Sequence, residues 1–307
     1  MHVFPTHLGM ILAGLILAPV LPGIINRTKA LCAGRHGPPF LQLYYDIFKL
    51  LRKNAVYSRT TTWVFRANPP ISLAAVIAVL ALIPMAQIKA PVSFMGDFIL
   101  LAYALGLTRF LTILAALDTG SSFEGMGASR EVQFSALAEP PLILGLGALA
   151  YATGQFSMSA IFGTLYAAPF VGLPEIILIV AAWLIVFLTE NSRIPVDDPA
   201  THLELTMIHE AMILDYAGPD LAMILYTSAL KIWLLGALVV NVALGFADLQ
   251  GGVAIAAFAV GMALLAVVVG LIESSMARLN MVKVPRLLGV ALVLSVLALA
   301  LIARTAL

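Results

Sequence analysis

Cysteine is nearly absent from this 307-residue chain: Cys32 stands alone. One thiol closes no internal disulfide and cannot hold an iron–sulfur cluster, which usually takes four thiolates. Charge is scarce as well. Asp, Glu, Lys and Arg make up 11% of the residues, against about a quarter in a soluble domain. The net charge is +1, so there is no bulk electrostatic case for nucleic-acid binding. There is no Rossmann fingerprint, no Walker loop, no H-E-x-x-H and no G-x-S-x-G. A soluble domain, a low-complexity tract and a convincing internal repeat are likewise missing.

What the chain has is apolar length. Hydrophobic residues are 62% of the total and the mean hydropathy is +1.03. This is the composition of an all-α, polytopic membrane protein, read as one integral-membrane domain over residues 1–307. A span needs about 20 mainly apolar residues. Eight segments qualify: 5–25, 70–88, 97–117, 134–153, 171–190, 219–245, 252–273 and 286–304. The opening stretch lacks a basic leading region and an A-x-A site, and reads as a retained first span.

Eight spans place both termini on one side. The connections on the other side carry Arg27, Lys29, Arg35, Lys49, Arg52, Lys53, Arg59, Arg66, Arg130, Arg193, Arg278, Lys283 and Arg286. The terminal side has Lys89 and Arg304, and Arg109 and Lys231 fall inside spans. Basic residues mark cytoplasmic connections, so the termini are expected outside. In the first connection, Phe40-Leu41, Tyr44, Ile47-Phe48 and Leu51 recur at helical spacing, with Gln42, Asp46, Lys49 and Lys53 opposite. That pattern predicts an amphipathic interfacial helix, either a surface anchor or a ligand gate.

Charge concentrates between Val186 and Asp220, where Glu190, Arg193, Asp197, Asp198, His202, Glu204, His209, Glu210, Asp215 and Asp220 crowd between two apolar stretches. Such a segment docks a partner or handles protons or ions. Arg109, Lys231, Glu139, Glu190 and Glu273 sit in or at the ends of spans, with Glu139 opening the fourth, Glu190 closing the fifth and Glu273 closing the seventh. Ionised groups at mid-bilayer cost about 3 kcal/mol or more, so these should face the bundle interior and pair. They form either locking ion pairs or a proton path of coupled acids and bases. Arg193 is expected to pair with acids of its own connection. His202 and His209 are seven apart, on one face if helical, and read as polar surface histidines rather than metal ligands. The twelve methionines read as packing filler, and Gly106, Gly145, Gly147, Gly236, Gly261 and Gly270 as close helix contacts.

Several segments, in order, resemble the membrane-anchor subunit of group 4 membrane-bound nickel–iron hydrogenases of the formate hydrogenlyase type, itself similar to subunit 1 (the H subunit) of respiratory complex I. They are R-H-G-P-P-F-L-Q-L-Y-Y-D-I-F-K-L-L at 35–51, L-D-T-G-S-S-F at 117–123 with G-A-S-R-E at 127–131, E-N-S-R-I-P-V-D-D-P at 190–199 with E-L at 204–205 and D-Y-A-G at 215–218, and E-S-S-M-A-R-L at 273–279. The likeness covers essentially the whole chain. Where complex I relatives carry further acids, this chain has Ala200 and His202; where they tend to have a glutamate in the sixth span, it has Ser228, and Lys231 matches a lysine of the hydrogenase branch.

The resemblance implies a subunit that anchors a peripheral redox arm and couples electron transfer to proton or sodium movement. Glu190, Arg193, Asp197 and Glu204 would line the junction with that arm, and Arg130, Glu131 and Glu139 the neighbouring connection and span. Arg109, Lys231, Asp215 and Glu273 would join them, and Asp46 and Lys49 would lie on the surface helix beneath the arm. The chain itself would bind no cofactor. The nickel–iron centre and iron–sulfur clusters would reside in large, small and iron–sulfur partner subunits, beside antiporter-like membrane subunits. The rival readings are a quinone-binding H-type subunit of a complex I-like dehydrogenase, which needs a lipid-accessible cavity beside the surface helix, and a stand-alone secondary transporter, which predicts inverted repeats and broken helices.

Overall fold

The computed structural model describes residues 3–167, 171–197, 207–245, 247 and 249–305, with side chains from residue 7 onward. The described residues form helices and no strand, only an isolated bridge between Met85 and Ile88. Helices α1 (Val3–Leu17) and α2 (Val20–Cys32) cover the first apolar segment and run beyond it, bent by 44° where they meet. Next come α3 (Gln42–Leu51), α4 (Trp63–Leu80), α5 (Asp97–Asp118) and α6 (Ser122–Thr153). The short α7 (Met158–Ala167) is followed by α8 (Leu173–Glu190), α9 (His209–Met212), α10 (Gly218–Ala243), α11 (Gly251–Ser275) and α12 (Val284–Thr305). Seven of these helices are long and apolar enough to cross a membrane, and the bent α1–α2 pair makes an eighth.

Two helices begin well before their apolar segments, and both carry Pro-Pro pairs. Proline removes an N–H and frees the carbonyl four residues earlier. In α4 the carbonyl freed by Pro69 is that of Phe65, and the Tyr216 hydroxyl donates to it at 2.9 Å. The helix therefore starts at Trp63, with Thr62 as its N-cap accepting from the Val64 N–H. Thr62 also donates through its backbone N–H and hydroxyl to Asp118 at 2.6 and 2.9 Å, which ties the start of α4 to the end of α5. In α6, Pro140 and Pro141 lie mid-helix. The 32 residues of α6 extend about 48 Å at 1.5 Å per residue, longer than a bilayer core of about 30 Å. Glu139 is therefore a mid-helix residue rather than a span opener.

The bundle has its polar groups inside. On α5 the outward residues Tyr103, Leu107, Phe110, Leu114 and Leu117 recur every three to four positions, while Thr108 and Arg109 are buried. An apolar lateral face over a polar interior suits lipid rather than water. Helix α10 is central: it packs on α3, α4, α8 and α11, and most of its residues from Leu230 to Val242 are buried. Helix α12 fills the groove between α6 and α8, and α2 packs on α11. The last contact is close. A Cβ on Gly270 would stand 2.7 Å from Thr28, so glycine is required there. Gly261 meets Val240 in the same way, whereas Gly147 faces open space and marks no contact.

Helix α3 packs against α10 and α2. The Tyr44 hydroxyl donates to the Ile16 carbonyl, and Leu43 packs on the main core. Tyr45, Phe48 and Leu51 stay exposed, as on a helix whose apolar side meets lipid. Asp46 accepts a 2.9 Å hydrogen bond from Gln42 on the same helix, and Lys49 is exposed.

Candidate functional site: a buried ion network and two adjoining cavities

The chain ends of α5, α8 and α11 and the chain starts of α4, α6, α10 and α12 meet at one end of the bundle, the end that carries the basic connections. A line of ionised groups runs inward from there. Arg109 of α5, 7% exposed, donates to Glu190 at the end of α8 at 2.6 Å and also to Glu139 of α6. Lys231 of α10 stands 3.9 Å from the Glu190 carboxylate and donates to the Glu190 carbonyl at 3.2 Å. Four helices thus supply Glu139, Arg109, Glu190 and Lys231 in unbroken succession. Glu190 is the middle link, its side chain 6% exposed between two cations. Glu139 is the outer link, with 42% of its side chain exposed on the lateral surface.

Beside this line lies a cavity of about 610 Å³ including its mouth. Arg109, Glu131, Glu190, His209 and Lys231 contribute charge or titratable groups to its wall, and Asn68, Ser72, Thr108, Thr112 and Thr227 contribute polar groups. The polar wall is itself ordered. Ser72 donates to Asn68 at 2.9 Å, and Asn68 donates to the Tyr216 hydroxyl at 3.1 Å. Glu131 lines both this cavity and a smaller one that Asp197 also faces. A third cavity, about 940 Å³ including its mouth, opens between Pro22 and Lys29 of α2, Leu43 of α3, the connection after α8, and α10. It shares Asn191, Ser192, His209, Ile224 and Ser228 with the first.

The connection after α8 is pinned from α11. Glu273 of α11, its side chain fully buried, takes Lys29 at 2.8 Å and Arg193 at 3.6 Å. Among the described residues Arg193 therefore pairs with α11 rather than with acids of its own connection, because the turn after Glu190 carries it back onto the bundle. Burial pulls the Arg193 guanidinium down from its ordinary value, and the Glu273 charge opposes that. Asp197 pairs with Arg278 at 3.1 Å and accepts the backbone N–H groups of Ile208 and His209 at 3.2 Å. Arg130 of α6 donates to the Met207 carbonyl at 2.8 Å. The Leu279 N–H donates to the Pro195 carbonyl at 2.9 Å.

The candidates read from the sequence divide into groups. Glu139, Arg109, Glu190 and Lys231 form the first network, with Glu131 on the same cavity. Glu273 with Arg193, and Asp197 with Arg130 nearby, form the pinned connection. Asp215 is exposed, and its backbone N–H donates to Glu124 at 3.2 Å. Asp46 and Lys49 stay on α3, outside the network. Glu204, Asp198 and His202 lie outside the described residues. His209 is not a surface histidine, since it lines both the first and the third of these cavities. Asn68, Thr112 and Tyr216 were missed because isolated polar residues near apolar segments carry no pattern. Glu124 was missed as well; its side chain is fully buried in the first turn of α6.

An apolar-sided bundle of this length with its charges gathered inside is a multi-pass membrane protein. The sequence pattern of the family described as NADH dehydrogenase matches residues 6–303, and the chain belongs to that family. It is 31% identical over 281 residues to formate hydrogenlyase subunit 4 of Escherichia coli (strain K12), covering 88% of this chain and 89% of that one. It is 33% identical over 236 residues to hydrogenase-4 component C of the same organism, covering 77% and 74%. Its fold is also that of a chain in the membrane-bound sulfane sulfur reductase, an archaeal respiratory membrane complex, with a TM-score of 0.81, 19% identity, and coverage of 98% of this chain and 100% of that one. The motif resemblance to the hydrogenase branch is borne out.

Proposed function

We propose that the chain is the membrane subunit of an energy-converting nickel–iron hydrogenase complex in the cytoplasmic membrane of a bacterium or archaeon. In this reading both termini face outside, and the basic end of the bundle meets the redox arm. The relatives' names supply the assembly class: a hydrogenlyase subunit, a hydrogenase component and a respiratory complex. Large, small and iron–sulfur subunits would hold the nickel–iron centre and clusters, since electrons hop between cofactors and this chain offers no thiolate set to carry them.

The carrying observation is the line Glu139–Arg109–Glu190–Lys231. It begins on a cavity at the basic end and finishes at a half-exposed carboxylate on a lateral face. An ionised group on a lipid-facing surface is costly, so a neighbouring membrane subunit, of the antiporter-like kind, covers Glu139. A charge change at the arm acts on Glu190 through Coulomb coupling, and Arg109, which touches both carboxylates, passes that change to Glu139. The coupling is electrostatic and needs no cofactor in this chain.

Glutamine keeps the shape and hydrogen bonding of glutamate but does not titrate. Glu139→Gln and Glu190→Gln should therefore assemble, retain hydrogenase activity with artificial dyes, and lose most ion uptake in sealed vesicles. Unchanged uptake in both variants, with the complex intact, would remove these residues from the pathway. A locking role alone predicts that any lost uptake tracks lost assembly.

One observation favours a second reading, quinone binding. The cavity between α2, Leu43 of α3 and the connection after α8 lies where that reading places its site. Quinone co-purifying in stoichiometric amount, and displaced by quinone-site blockers, would support it. A quinone-free complex with full activity would exclude it.

A further inference from the structure

The first and third of these cavities meet at one wall, and that wall has two unusual residues. Ser192 is a non-glycine residue in the left-handed region, at φ 50°, a conformation that bulkier neighbours must hold in place and that clusters at functional sites. It lines all three cavities at this end of the bundle. His209 lines the first cavity and the outer one. Its backbone N–H is fixed to Asp197 at 3.2 Å, while its imidazole makes no hydrogen bond to any described residue. A neutral imidazole carries one donor and one acceptor nitrogen, the pair a proton-transfer group on a wall shared by two cavities needs.

We propose that the His209 imidazole is the proton-transfer joint between these cavities, passing protons from the outer space walled by Lys29, Arg193, Asp197 and Glu210 to the inner space that holds Glu190. The inference rests on the coupling role proposed above only for its physiological use. In the transfer, a hydronium in the outer cavity gives its proton to the unprotonated ring nitrogen and becomes water. The imidazolium then releases the proton of its other nitrogen, through cavity water, to the Glu190 carboxylate, which becomes a carboxylic acid. The ring is left as the other tautomer and resets by rotation.

The surroundings suit a ring that is neutral at rest. Lys231 of α10 faces it with Arg109, Glu131 and Glu190 across the inner cavity, and Lys29, Arg193, Asp197 and Glu210 face it across the outer one. Burial, with Lys231 adding repulsion, lowers its pKa to about 4. At neutral pH the imidazolium is therefore a transient carrier and not a trapped charge.

The test uses the assembled complex and times protonation of Glu190 by stopped-flow infrared after a drop in pH, reading the carboxylic acid band that Glu190→Gln abolishes. His209→Gln should slow its rise about a hundredfold, the lower range for removing a positioned acid–base group. His209→Gly should be slowed similarly and recover when imidazole is added. An unslowed His209→Gln, or a slow His209→Gly that imidazole does not restore, overturns the inference. The readout needs no turnover. Wild-type vesicles that move no ions, with His209→Gln still slow, would sink the coupling role and leave this inference standing.

Discussion

Replacing Arg109 by Ala is expected to destabilise the subunit by about 3–5 kcal/mol, the usual consequence of stripping one partner from a buried ion pair. The figure belongs at the upper end here because the guanidinium serves two carboxylates. Without it, Glu190 keeps only Lys231, whose ammonium stands 3.9 Å away, and Glu139 keeps no described cation. Glu139 is half-exposed and can turn to water; Glu190, with its side chain 6% exposed, has no such outlet. Arg109→Lys should rescue only in part, since an ammonium is a point charge and cannot fork to two acids on different helices. The yield of assembled complex and its thermal midpoint should rank wild type above Arg109→Lys above Arg109→Ala. If the Ala variant assembles and melts as the wild type does, these groups are neutral in the folded protein and the network is not ionic.

Much of this molecule can be read from its sequence, for physical reasons that also mark where reading stops. Apolar windows of twenty residues give the helices, because a bilayer demands them. The ends of α4 and α6 cannot be read that way. Pro69-Pro70 and Pro140-Pro141 look like helix breaks, and only a distant hydroxyl, that of Tyr216, shows how the first pair is accommodated. Helix α7 escapes because an apolar helix of ten residues falls short of a span. That Arg109, Glu139, Glu190 and Lys231 should pair follows from the cost of bare charge in lipid. Which acid meets which base does not, since partners lie 30, 41 and 81 positions apart. His209 was misread because its sequence neighbours suggest a wet loop, whereas α9 packs on α6 and α5.

The second large effect is expected at Glu273, and it should exceed that of removing Arg193. The two residues face each other, yet their losses are unequal. Arg193→Ala leaves Glu273 with Lys29 at 2.8 Å, so the buried carboxylate keeps a strong partner and loses a weaker one at 3.6 Å. The expected destabilisation is about 1–3 kcal/mol, that of a buried acceptor losing one of two contacts. Glu273→Ala instead strands two cations. Lys29, a quarter exposed, can turn to water; Arg193, 10% exposed, stays buried without its counter-charge. That loss should reach about 3–5 kcal/mol. Because the side chains touch, the double replacement should cost less than the sum of the singles. The same substitutions loosen the connection 191–197, so under the proposed function the fraction of peripheral arm retained on purification should fall in the same order. Thermal midpoints of the assembled complex give the ranking directly. Equal midpoints for the two single variants, or a larger drop for Arg193→Ala, would mean that Arg193 holds the fold through contacts other than Glu273.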